Sequence, residues 1–116
     1  MPLLGQGLFC EQIMSSYNKP NAAPVALTVN TASNAAIAVA TPLAIRVGYR
    51  IFNSGSNTIF VQELPRGSEV PTVAAVLAAP SFAVPAGLYI DSGARDLTDV
   101  YTGASATASG TFQELC

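Results

Sequence analysis

The chain has 116 residues and a mass of 11.9 kDa, enough for one domain around a single hydrophobic core and short for a two-domain enzyme. Hydrophobic residues make up 50% of it, 19 of them alanine, and only 10% of residues are charged, which excludes disorder as the dominant state. The net charge is −2 and the five cations, Lys19, Arg46, Arg50, Arg66 and Arg95, are scattered, so the electrostatic footprint of a nucleic-acid binder is missing.

Residues 1–21 contain Pro2, Gly5, Gly7, Pro20 and Asn21 and follow neither a helical nor a strand period, so they read as an N-terminal arm. The arm is apolar through Leu3, Leu4, Leu8, Phe9, Ile13, Met14 and Tyr17. A segment so rich in apolar side chains packs on its own domain or on a neighbouring subunit, and these seven residues are the expected partner-binding set, with the neighbour favoured. A short helix at 11–17 is weakly supported. No basic n-region precedes the apolar residues and the run is too short to span a bilayer, so neither a secretory signal nor a membrane is expected. A bridge between Cys10 and Cys116 would staple the two ends or link two chains; free thiols are the expectation, in keeping with cytosolic synthesis.

From Pro24 onward the apolar period is two. Val25, Leu27 and Val29 alternate with small or polar residues, and so do Ile37 and Val39. The strongest strand signal is Leu43, Ile45, Val47, Tyr49 and Ile51, alternating with Ala44, Arg46, Gly48, Arg50 and Phe52. The turn-forming residues 53–57 then lead into 58–64, which predicts a hairpin with Ile51 opposite Ile59 and Tyr49 opposite Val61. Residues 65–71 form a surface loop, and further short strands are predicted at 73–77, 82–84, 87–91, 99–102 and 106–115. No helical stripe of useful length is apparent. The predicted fold is all-β, an antiparallel β-sandwich or jelly-roll-like barrel over residues 22–116 with the extended N-terminal arm ahead of it.

Chemistry finds little to work with. Histidine is absent, which removes the side chain best suited to proton transfer at neutral pH and the commonest nitrogen ligand for transition metals. A nucleophilic serine would have only Lys19 as a lysine base, and no glycine pattern makes a phosphate cradle. Asp91, Asp96 and Asp99 lie close in sequence, but their spacing matches no calcium loop and turn capping explains them. Tyr17, Tyr49, Tyr89 and Tyr101 read as core or rim residues rather than a sugar platform. No catalytic residue, metal or cofactor is expected.

Two stretches carry a resemblance: Val47-Gly-Tyr-Arg-Ile-Phe-Asn-Ser-Gly-Ser-Asn-Thr-Ile-Phe-Val61, and Val84-Pro-Ala-Gly-Leu-Tyr-Ile90 leading to Thr107-Ala-Ser-Gly-Thr-Phe112. In order and spacing they resemble the small β-sandwich virion structural proteins of tailed bacteriophages, including capsid decoration (cement) proteins. The likeness covers about half the chain and consists of turn chemistry. It implies a non-enzymatic protein made in the host cytoplasm and carried in the virion, a homo-oligomer (trimer or dimer) that docks on the major capsid protein or another virion protein. A tail, neck or fibre-adaptor role, and a carbohydrate-binding or adhesin-like module, are the alternatives.

Overall fold

The computed structural model describes residues 22–29, 31, 33–39, 46–95 and 97–116. The arm residues Leu3, Leu4, Leu8, Phe9, Ile13, Met14 and Tyr17, the helix expected at 11–17, and Leu43 and Ile45 lie outside them. Eight strands are present among the described residues: β1 (Val25–Val29), β2 (Ala36–Ile37), β3 (Gly48–Asn53), β4 (Ile59–Pro65), β5 (Phe82–Val84), β6 (Tyr89–Ser92), β7 (Thr98–Gly103) and β8 (Ala108–Leu115). They form two antiparallel sheets, β1-β8-β3-β6 and β2-β7-β4-β5. Only the β4–β5 connection stays within a sheet, and every other one crosses the sandwich, which is the jelly-roll arrangement.

The alternating side chains meet between the sheets. Leu27, Val29, Ile51 and Phe112 from the first sheet pack against Ile59, Val61, Val84 and Val100 from the second. β8 shows the alternating burial of a strand wetted on one face, whereas β7 is buried on both faces.

The hairpin prediction is corrected. β3 pairs with β8 and β6, while β4 pairs with β7 and β5, so Ile51 and Ile59 belong to opposite sheets and are not strand partners. The alternation was read correctly, since both residues are fully buried, but two apolar faces can meet across a sandwich as well as along one sheet. Asn53 makes the crossing. Its amide Nδ2 donates to the carbonyls of Asn57 (2.7 Å) and Val84 (2.9 Å), and its Oδ1 accepts from the Gly55 amide (3.0 Å). These bonds close an Asx-type turn over the end of the core instead of a two-stranded ribbon.

Residues 73–77, predicted as a strand, lie in helix α1 (Val73–Ala78). Thr72 caps it, its Oγ1 accepting from the Ala75 amide at 3.0 Å. Val73 and Val76, with Leu77, have the i, i+3, i+4 spacing of a helix and rest on Tyr101, Phe60 and Leu64, on the outer face of the second sheet. The alanines between them favour helix, and a window so short reads equally well with either period.

The phase of the strand ahead of β3 is also corrected. Val47 is exposed, whereas Arg46, expected to face solvent, is completely buried. Gly48 accommodates this, because a Cβ there would run into the carbonyl oxygen of Ser92 on β6.

At Gly110 of β8 a Cβ would run into the Phe52 carbonyl oxygen. Gly110→Ala is therefore expected to cost about 3 kcal/mol and lower the melting temperature by more than about 10 °C. The neighbouring exposed Ser109→Ala should stay within about 0.5 kcal/mol, and calorimetry of the pair checks this.

Candidate functional site

One end of the sandwich, where β3 and β7 begin and β4, β6 and β8 finish, holds the buried charged groups Arg46, Asp99 and Glu114. Arg46 donates from Nε to the Ala94 carbonyl (3.1 Å), from Nη2 to the carbonyls of Thr98 (2.8 Å) and Arg95, and from Nη1 to Glu114 (3.5 Å). Its guanidinium also lies 5.7 Å from the centre of the Tyr49 ring. A charge buried this deeply is tolerated because its donors meet acceptors, and in doing so it holds the backbone of Ala94, Arg95 and Thr98 in place.

Next to it, Glu63 joins the two sheets. Its Oε2 accepts from the Tyr49 hydroxyl of β3 (2.6 Å) and from the Ser92 hydroxyl of β6. Burial, then the hydrogen bond to Glu63 and its negative charge, push the Tyr49 phenol well above its ordinary range. Tyr101, on the other face of the second sheet, is raised by burial and by Asp99. Glu63 and Ser92 border a cleft of about 580 Å³ with Leu97 and Thr98. Serine and carboxylate meet there with a phenol as third member, and the cluster holds no histidine or lysine to relay a proton. The arrangement ties β3, β4 and β6 together.

Asp91 and Asp99 do not converge. Asp91 lies on the outer face of β6 and takes Arg50 through two oxygens (2.6 and 3.0 Å), which draws the Asp91 carboxyl down and the Arg50 guanidinium up. Asp99 is buried and accepts from Arg66 and the Gly67 amide, both at 3.1 Å, fixing the turn after β4. Asp96 lies outside the described residues. Among the described residues no group of three or more metal-ligating side chains occurs. The tyrosines part company too: Tyr49 and Tyr101 are buried and Tyr89 is exposed. Cys116 is disulfide-bonded, which corrects the free-thiol expectation at that residue. No helix among the described residues is long and apolar enough to cross a membrane.

Large apolar side chains are exposed at several positions, Leu97, Val70, Val25 and Val47 among them, and in two places apolar groups gather. On the outer face of the first sheet, Phe52 of β3 pairs with Tyr89 of β6, with Leu88 beside them. Tyr89 and Leu88 are 57% and 55% exposed, and the Arg50 guanidinium lies 4.6 Å from the centre of the Tyr89 ring. The second place is a cleft of about 630 Å³ at the other end of the sandwich, with Val73, Ala74, Leu77 and Ala104 below and hydroxyl side chains around the rim. Neither was singled out from sequence: Phe52 and Tyr89 sit 37 residues apart and become neighbours only through the β3–β6 register.

No family model, curated protein or solved structure matches this chain. The site is therefore read from its geometry.

The raised phenols set an alkaline limit. Above about pH 10 the unfolded tyrosines release protons that the folded chain keeps, so stability falls with rising pH, by up to about 1.4 kcal/mol per unit from Tyr49 and by less from Tyr101. Tyr49→Phe is expected to cost about 1 kcal/mol at pH 7 by removing the bond to Glu63. Its stability should then decline less steeply above pH 10, with a residual slope from Tyr101, as urea melts between pH 7 and 11 would read.

Proposed function

We propose that the protein is a non-enzymatic virion structural component of the capsid decoration type, whose sandwich docks on a phage shell as a homo-oligomer and whose apolar arm grips the major capsid protein or a sister subunit. One observation carries the reading. The described charged side chains that reach into the fold, Arg46, Glu114 and Asp99 together with Glu63, are engaged in holding strands and loops, while large apolar side chains stand exposed on a sheet face. Such a surface suits contact with another protein and gives a reaction nothing to use.

Two further features support it. Jelly rolls recur in viral capsid and lectin domains, an analogy of fold and not of site. A disulfide at Cys116 persists where thiols are oxidised, virion surfaces among such places. Many copies on one shell offset weak single contacts. The exposed Tyr89 and Phe52 favour the carbohydrate-binding module as second reading, since an aromatic surface also stacks on sugars.

Purified protein mixed with phage shells is expected to bind at hundreds of copies per particle, counted by quantitative gel densitometry, and deletion of residues 1–21 should abolish attachment. A dozen copies or fewer would move the protein to the neck or tail. Full decoration by the deleted chain would refute the arm's part, and no shell binding together with a hit on a glycan array would replace the reading by the carbohydrate one.

A further inference from the structure

The cleft beside α1 and the point where the arm joins the sandwich lie at opposite ends of the domain. Ala22, the first described residue, donates its amide to the Glu114 carbonyl (3.1 Å), and its own carbonyl accepts from Gln113 (2.9 Å), so the chain enters beside the end of β8. The cleft opens at the far end, where Ala104 follows β7 and Thr31 follows β1. It is uncharged. Val73 and Ala104 are buried beneath it, Leu77 is half-buried, Ala74 is exposed, and Ser33 and Thr72 stand at the rim.

Residues 1–10 are the matching segment in chemistry. They hold Leu3, Leu4, Leu8 and Phe9 and carry no charged side chain. A cleft between roughly 300 and 1,000 Å³ buries a ligand of a few apolar groups, and this one, at about 630 Å³, has room for part of such a segment. An uncharged floor imposes no desolvation cost on leucine, whereas a charged peptide would lose its hydration there.

We infer that the cleft lined by Val73, Ala74, Leu77 and Ala104 receives the apolar residues of segment 1–9 from a second copy of this chain. An arm that leaves one end and a receptor that opens at the other make a heterologous, head-to-tail contact, which closes into a ring when the rotation between copies allows. The nine residues ahead of Cys10 span roughly 30 Å at full extension, far enough to enter an adjoining copy. The short edge strands of both sheets, from two to five residues, offer little for strand addition and leave side-chain contact as the means of joining.

The test uses two full-length variants and light scattering. Ala74→Glu places a charge in the cleft at an exposed position in the first turn of α1, where an acidic residue suits the helix. The double variant Leu3→Asp/Leu4→Asp leaves the cleft intact and spoils the arm. The wild-type chain is expected at a multiple of 11.9 kDa, and each variant at 11.9 kDa with an unchanged melting temperature. An equimolar mixture should form a species of two chains and no larger, because only one arm and one cleft remain to pair. If Ala74→Glu lowers the melting temperature, Ala74→Trp fills the cleft without charge and is held to the same outcome. A monomeric wild type, folded variants that keep the wild-type mass, or variants that stay apart when mixed would each overturn the inference. No shell enters the experiment, so its failure leaves the virion reading standing, and failure of shell binding leaves the arm exchange standing.

Discussion

The side chain of Asn53 closes the core where the chain passes from the first sheet to the second. Fully buried at the end of β3, it satisfies its amide on the carbonyls of Asn57 and Val84 and its oxygen on the Gly55 amide. Its backbone adds two more bonds, its amide donating to Leu88 and its carbonyl accepting from Gly87, at 2.9 Å each. A buried amide must find partners for both of its ends, and here those partners lie on two segments, the 55–57 loop and the end of β5. With the chain turned across the sandwich at this point, β4 pairs with β7 and β5, and β3 is free to receive β8 and β6 on its two sides.

The opposite end is held by charge. Arg46 and Glu63 perform there what Asn53 performs at the other end, with stronger bonds and a higher desolvation cost. Arg46 gathers the carbonyls of 94–98, Glu63 fastens the second sheet to Tyr49 and Ser92 of the first, and Asp99 fixes the turn through Arg66 and Gly67. Groups that in another protein would mark a reactive centre are here the fastenings of loops, each engaged within the fold. This is why the functional reading rests on surface and assembly.

Most of the fold class was legible in the sequence, because a period of two over residues 25–29, 49–52 and 58–64 is what half-buried strands require, and Gly, Pro and Asn marked the breaks before the short strands expected at 82–84, 87–91, 99–102 and 106–115. The bounds of β5 agree with the predicted 82–84, since Pro80 and Pro85 leave few alternatives. Residues 73–77 were misread because five residues with apolar ends fit both periods, and the Thr72 cap was the signal overlooked. Of the functional surface almost nothing was visible: the arm carried the expectation, whereas Phe52 beside Tyr89 and the cleft under α1 each join segments distant along the chain.

The sequence by itself determined which side chains are apolar, how they alternate, that histidine is absent, and therefore that the chain builds strands around one core without the usual means of proton transfer. Pairing was left to the tertiary structure. Alternation states that Ile51 and Ile59 both face inward but is silent on whether they meet along one sheet or across two, because burial depends on the face a residue presents and not on its strand partner. Likewise the inward turn of Arg46 came from carbonyls supplied some 50 residues later, and no local pattern records a partner at that distance.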